Sequence, residues 1–489
     1  MLENNDSVKN VDDIKRGKQI AYHIRNQITH SAVSAANLFS SIILAFFVIM
    51  MKYLDDNQEE LNLKVPDLMR FDILSAILPD RIPIERLAEY LNYVQKHMGI
   101  EMTSESLYYS LEKSGLLIYP EYLRMLFEII GKEDFNIGRS GYVAASTAIK
   151  LFSLFKQYLQ TGAMNIPEDI LKLMKKILDM KPGMECYDFT KNGPATLAAL
   201  TYNTPCNITV QCHSHESEAL NIMLLIVTCE PKSVKIGHSS IEWIPVDLGN
   251  IASKFDCVTA LPPIYLDLSV KTAMEQAQGY GEKYVEWWPE NPGCAQWIYA
   301  RHLVHSLNTE GVGIIFFPLG VLSRMGSYED IRRIFLDCNY IDGVIEFPAG
   351  VFARTNAKMA MIVIRKNRLE KNILMINLDS NEANRLISVK RNELNFEGID
   401  EVYDIYANWK EVPGISRSVS VTEIKNNGSC FSPSAYVQDV MDLELLGGDT
   451  DFLVDAEERL HKEFLKQEEM YQCSLKNFLQ LKRKWEDAE

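Results

Sequence analysis

The sequence predicts an α/β protein built on a doubly wound, mainly parallel sheet. One observation predicts this fold, and a second places it in the chain. Between residues 166 and 378 short apolar runs alternate with helix-period segments, the pattern of βαβ units. Strands joined in this way through helices are expected to pair mainly in parallel. Before residue 166 the pattern is helical throughout, and after 378 it becomes mixed and polar. The expected division is therefore a helical region 1–165, an α/β domain 166–378 and a C-terminal region 379–489.

In the first region Ile14, Ile20, Ile24 and Ile28 recur at helical spacing. A second helix follows at 42–54, and periodicity continues at 86–97 and 121–130. No charge occurs from Ser31 to Met51, but five polar residues occupy the first half of that stretch. The apolar part, Ile42 to Met51, is half of the roughly 20 residues a membrane span needs, so a buried core helix is expected. The opening residues 1–19 are too polar and acidic for a signal peptide, and a cytoplasmic protein is expected.

In the α/β domain the expected strands are 185–189, 208–212, 255–260, 313–317, 340–347 and 359–365. The expected helices are 194–200, 216–228, 294–308 and 328–338. In such a fold a ligand sits beyond the carboxyl ends of the strands. The loops after Phe189, Cys212 and Ala260 are the ones that should carry chemistry. At the C-terminus, Ala456, Leu460, Phe464, Tyr471, Leu475, Phe478 and Trp485 form one apolar stripe on a charged helix, suited to helix-on-helix contact with a partner.

The 489 residues carry 50 Lys and Arg against 66 Asp and Glu, a net charge of −16. That disfavours non-specific coating of nucleic acid, which relies on cations. Nine cysteines are scattered without a C-x-x-C pair, as expected of reduced thiols. His213 and His215 stand as an isolated H-x-H, so no metal site is expected. Trp287, Trp288 and Trp297, with Tyr280 and Tyr284, are expected to close a local core; a stacking surface is the alternative. Arg324, Arg332, Arg333, Arg354 and Lys358 fall near strand-end loops, where a DNA cleft and a solvated face are both open.

The segment 254–265 reads Lys-Phe-Asp-Cys-Val-Thr-Ala-Leu-Pro-Pro-Ile-Tyr. A strand ending in two prolines is unusual, since proline cannot donate to a ladder. It resembles the F-D-x-x-x-x-N-P-P-[FY] segment of methyltransferases that act on adenine in DNA. Downstream, Gly311 to Ser323 resembles the G-x-x-x-x-x-x-P-x-G-V-L strand and loop of the modification subunits of type I restriction systems. Segments 331–332, 341–352, 359–366, 416–421, 423–424 and 431–437 resemble the same family in the same order, as does the helix 44–55.

The resemblance implies a Rossmann-like class I methyltransferase domain with an N-terminal helical domain and a C-terminal helical tail. It implies S-adenosylmethionine as cofactor. It also implies a protein partner, either a specificity or a methyltransferase subunit, met through the N-terminal helices and the C-terminal helix. DNA would be a partner within the complex.

The residues that would carry the chemistry depart from the family. Leu261 stands where Asn or Asp would accept a hydrogen bond from the adenine amine, and Ile264 stands where an aromatic ring would stack on the flipped base. Pro262 and Pro263 remain, and Tyr265 is one residue late for stacking. The family's cofactor loop, D-P-x-x-G-x-G, aligns with Asp188, Phe189, Thr190, Lys191, Asn192, Gly193 and Pro194. Glycines that let backbone approach the cofactor are thus replaced by Asn192 and Pro194. Pro194 equally suits a first helical position. Ser214 falls where an acid would hold the ribose, and Glu216 and Glu218 lie beyond it on the helix. Asp256 belongs to the same set through the F-D pair. A catalytically degenerate binding or scaffold subunit is the expected function. The alternative is an active adenine methyltransferase with a divergent site, in which Tyr265 stacks the base.

Overall fold

The computed structural model describes residues 2–31, 35–77, 90, 93–94, 96–97, 101–102, 120–137, 142–155, 166–202, 204–212, 215–229, 234–238, 251–264, 295–352, 355–390 and 393–437. Among the described residues the chain opens with the helices α1 (Leu2–Ser31), α2 (Ala35–Asp56), α3 (Phe71–Ile77), α4 (Pro120–Gly131) and α5 (Val143–Phe155), with a two-residue strand β1 (Glu101–Met102) between α3 and α4. Then come α6 (Glu168–Ile177), β2 (Glu185–Asp188), α7 (Gly193–Thr201), β3 (Asn207–Cys212), α8 (His215–Thr228), β4 (Val234–His238) and β5 (Phe255–Ala260). The second half holds α9 (Ala295–Ser306), β6 (Leu307–Pro318), α10 (Leu319–Ser323), α11 (Ser327–Asp337), β7 (Ile341–Phe347), β8 (Met359–Arg365) and β9 (Ile373–Asn377). A short hairpin, β10 (Ser388–Lys390) and β11 (Glu393–Asn395), precedes α12 (Ile399–Ala407), β12 (Ser416–Val419) and α13 (Val421–Asn426).

Among the described residues the main sheet has the order β1-β4-β3-β2-β5-β6-β8-β7-β9-β12. Pairing is parallel from β1 to β6 and between β7 and β9. Strand β8 runs antiparallel to β6 and β7, and β12 antiparallel to β9. The expected α/β architecture is present: six of the nine strand pairings described in this sheet are parallel, and three antiparallel ones make it mixed. The reason lies in the connections: only residues 348–358 separate β7 from β8, too few for a parallel crossover. Sequence order reverses between β2 and β5, which makes their carboxyl ends the switch point of the sheet.

The central strands are closed on both faces. All seven residues of β7 and the first six of β8 are buried. Strand β6 begins at Leu307, six residues before the expected start. Leu307 pairs with Phe255 and Val312 with Cys257, so the extra residues form an irregularity that polar Asn308 and Glu310 disguise in the sequence.

Helix α2 is the interior helix of the N-terminal region. Every residue from Ile42 to Met51 is buried, against α4, α5 and α8. The uncharged stretch is therefore core, and no helix among the described residues is long and apolar enough to cross a membrane. Beyond its end, Asn57 Nδ2 donates to the carbonyls of Tyr53 (2.6 Å) and Phe135 (2.8 Å), and its Oδ1 accepts from the Ile137 N–H (2.6 Å). Helix α1 lies along α5 so closely that a Cβ on Gly17 would fall 2.0 Å from Ser146 Oγ and 2.6 Å from the Val143 carbonyl oxygen.

Most of the predicted helix at 86–97, the Trp287–Trp288 cluster with Tyr280 and Tyr284, and the tail stripe from Ala456 to Trp485 lie outside the described residues. Trp297 is buried against Phe317, Phe335 and Phe431, a core residue as expected.

The α1–α5 contact gives a direct test. Gly17→Val must push two helices apart at backbone contact, and thermal unfolding should show a loss of about 1–3 kcal/mol. Gln19→Ala, an exposed position on the same helix, should stay within about 0.5 kcal/mol of the parent.

Candidate functional site

The switch point brings together four of the residues singled out from the sequence. Asp188 ends β2, and its Oδ1 accepts from the Thr190 backbone N–H (2.8 Å) and the Thr190 hydroxyl (2.6 Å). Its Oδ2 accepts from the hydroxyl of Thr259, its register partner on β5, at 2.6 Å. The Thr190 hydroxyl oxygen in turn lies 3.4 Å from the Leu261 N–H. Gly193 closes the set, because a Cβ there would fall 2.7 Å from Asp188 Oδ1. All five residues are buried. Thr259 had a readable signal, a hydroxyl in an apolar strand three residues before the double proline, that was not singled out from the sequence.

The loop between β2 and α7 is short and closed. Phe189 is fully buried, stacked on Tyr299 with ring centroids 5.8 Å apart and tilted against His302 at 4.2 Å. Asn192 takes φ −96° and ψ 3°, so the loop does not adopt the left-handed backbone that glycine permits. Gly193 N–H donates to the Thr190 carbonyl (2.8 Å), and Pro194 sits in the first turn of α7, where its missing donor costs nothing.

At the end of β5, Leu261 is buried within the hydrophobic core and Ile264 packs on the same cluster while half-exposed. Pro262 is buried and Pro263 half-buried. Tyr265 and Ser214 lie outside the described residues; Glu216 and Glu218 fall within α8.

Asp256 does not join this set, and its assignment to the cofactor loops is corrected. It stands at the amino end of β5, four residues and about 13 Å of strand from Ala260. Its Oδ2 accepts from the Glu185 N–H (2.8 Å) and its Oδ1 from Asn308 Nδ2 (2.6 Å), so it ties the lower edges of three strands.

The basic residues do not form a described cleft either. Arg332 is fully buried and donates to the carbonyls of Ser429 (2.6 Å), Arg324 (2.7 Å), Gly428 (3.2 Å) and Val321 (3.3 Å). It is a structural clasp, invisible in the sequence because two of those carbonyls lie nearly a hundred residues away. Arg333 pairs with Glu329, and Lys358 with Asp379. Arg324 reaches toward the Tyr328 hydroxyl at 3.4 Å, and Arg354 lies outside the described residues. Among the described residues no cluster of His, Cys, Asp and Glu could hold a metal.

The sequence model of the N-6 DNA methylase family matches residues 155–444. The chain belongs to that family. Among curated N-6 DNA methylases, the type I restriction enzyme MjaVII methylase subunit of Methanocaldococcus jannaschii is 26% identical over 428 residues, 80% of this chain and 70% of that protein. The MpnII methylase subunit of Mycoplasma pneumoniae is 28% identical over 172 residues, 34% of this chain but 31% of that protein. A solved methyltransferase subunit of the type I restriction-modification system of Streptococcus thermophilus superposes with a TM-score of 0.67 at 18% identity, covering 87% of this chain and all of that one. At that identity the likeness is one of fold, and it bears out the methyltransferase architecture expected from the sequence.

Beneath the loop, burial holds the imidazole of His302 far below its ordinary value, at about 3, with Tyr187 Oη 3.0 Å from Nε2. A neutral imidazole inside the N-6 DNA methylase core has a consequence. The unfolded chain protonates this residue below about pH 6.5 while the folded chain does not. Its contribution is intact above that pH and is lost as pH falls toward 3, by up to about 1.4 kcal/mol per unit. Denaturant midpoints measured from pH 7 to 4.5 should fall, and His302→Gln, which leaves Tyr187 a partner, should flatten the slope.

A second test concerns the carboxylate itself. Thr259→Val removes a donor from buried Asp188 and should cost about 1–3 kcal/mol in chemical denaturation. A change below about 0.5 kcal/mol would mean the contact carries no weight.

Proposed function

We propose that this protein is a catalytically degenerate, methyltransferase-fold subunit that acts as a binding or scaffold partner in a type I restriction-modification-like complex. One observation carries the reading. At the switch point the Asp188 carboxylate is turned inward onto Thr190 and Thr259, and Leu261, which the motif reading sets at the base-amine acceptor's position, is buried.

The residues present do not fit S-adenosylmethionine held in the family's manner. Both oxygens of Asp188 already accept short hydrogen bonds. Asn192 and Pro194 replace the glycines that would admit the cofactor. The side chain of Phe189 is committed to the core. A site lacking the acceptor at 261 also loses an oriented hydrogen bond to the transition state, worth about a hundredfold or more in rate.

The partner contacts in this reading come from surfaces left over by the fold. Helix α2 is consumed internally, so the N-terminal region would present the outer face of α1, with exposed Lys15, Tyr22 and His23. The C-terminal stripe from Ala456 onward would supply the second contact. The divisions 1–165, 166–378 and 379–489 are kept as the functional modules of this proposal. DNA would be met within the assembly.

The test is methyl transfer. The purified chain, incubated with S-adenosylmethionine and adenine-containing DNA, should form no N6-methyladenine above a protein-free control by mass spectrometry. Mixed with a specificity subunit and an active modification subunit from the same cell, it should co-elute with one of them. Time-dependent methylation by the chain alone would overturn the proposal.

A further inference from the structure

Helices α1, α5, α6 and α7 surround a cavity of about 260 Å³, away from the loop of Asp188 to Pro194, none of whose residues line it. Each helix contributes apolar lining: Ile14 from α1, Ile149 and Phe152 from α5, Leu171 from α6, and Ala195 and Ala199 from α7. The two alanines stand four residues apart, on one face of α7. They are the half-buried positions of that helix, every other residue of which is buried. Short side chains on this face leave room that a leucine or phenylalanine would fill.

The ionic groups described around the cavity are engaged with partners of their own. Lys18 Nζ lies 2.6 Å from Glu168 and joins α1 to α6. Lys172 Nζ lies 2.8 Å from Asp169 and 3.9 Å from Glu168. Burial pushes the Glu168 carboxyl up, but Lys18, Lys172 and Lys150 outweigh it and hold the group below its ordinary value. Lys150 Nζ also stands 5.2 Å from the centre of the Tyr22 ring, and Lys175 Nζ 5.7 Å from that of Tyr202. A charged guest would have to compete with these contacts. An uncharged apolar guest displaces none of them.

We propose that the cavity binds an uncharged, mainly apolar aromatic molecule of two to three rings. An apolar cavity of about 150 Å³ accepts benzene, so the larger volume here admits a larger body. Apolar walls with a few polar groups at their margin are the usual build of a small-molecule pocket. The body lies against Phe152 and Leu171 on one side and the alanine face of α7 on the other. Because α1 and α5 belong to the helical region while α6 and α7 flank β2, the occupant touches both and strengthens their packing. The inference is independent of whether the switch-point loops hold a cofactor.

The probe is N-phenyl-1-naphthylamine, titrated into the full chain by fluorescence. One site per chain is expected, and the thermal unfolding midpoint should rise with probe concentration. Affinity should change less than about twofold between 0.05 and 0.5 M salt, since no ion pair is made. 1-Anilinonaphthalene-8-sulfonate, a similar body carrying a charge, should bind no tighter. Ala199→Phe and Ala195→Leu fill the cavity and should each weaken the probe at least about tenfold. Gln19→Ala, exposed on α1 and outside the lining, should stay within about twofold of the parent. Folding of the filled variants is checked first by thermal unfolding; if one fails to fold, the other decides, and if both fail, the salt and charge comparisons decide. Millimolar S-adenosylmethionine should not displace the probe. Absence of saturable binding, a sulfonate tighter by more than about threefold, folded filled variants within twofold of the parent, or displacement by S-adenosylmethionine would each overturn the assignment.

Discussion

One buried carboxylate organises the switch point of this sheet. Asp188 ends the central strand, and a charge there must be surrounded by donors because water is excluded. Thr190 supplies two and Thr259 one. Together they tie the end of β2 to the start of α7 and to β5. The geometry that follows is closed. Gly193 is held against the carboxylate, Phe189 turns into the core, and the loop has no left-handed residue. The fold tolerates this because its core is specified by hydrophobic pattern, while the chemistry of a methyltransferase lives in the loops.

The same division of labour runs through the rest of the molecule. Charged residues that resemble a functional set are spent on structure. Asp256 ties strand ends, and Arg332 holds four carbonyls. Glu346, fully buried on β7, accepts from the Ser434 N–H at 3.0 Å and so pins the segment after α13 to the sheet. A buried ionic group of this kind is a weak source of stability, but removing one partner is expensive. These contacts join the residues beyond 378 to the sheet, which explains why resemblance to the family persists into 416–437.

Strands whose apolar runs are uninterrupted were legible in the sequence. The expected 255–260 and 359–365 coincide with β5 and β8, and 185–189, 208–212 and 340–347 differ from β2, β3 and β7 by one residue. Strand β4, Val-Lys-Ile-Gly-His, was not, because a lysine and a glycine interrupt a five-residue run. Strands β9 and β12 were not read either: β9 is an apolar run that falls at the end of the segment assigned to the α/β domain, and β12, Ser-Arg-Ser-Val, is mostly polar and forms the sheet edge antiparallel to β9. In the site, Asp188, Thr190, Gly193 and Leu261 were named from motif spacing, and the structure brings them together. The inward turn of Asp188 was not legible, since it depends on Thr259, 71 residues away. Arg332 was misplaced for the same reason, because its partners come from a distant loop.

The central claim is that the closed Asp188–Thr190–Thr259 arrangement replaces a cofactor pocket. Isothermal titration of the intact protein with S-adenosylmethionine tests it most directly. The account predicts no saturable heat up to millimolar cofactor. One-site binding, weakened by substitution at Asp188 or Asn192 in a chain that remains folded, would contradict it and restore the loops to a cofactor role.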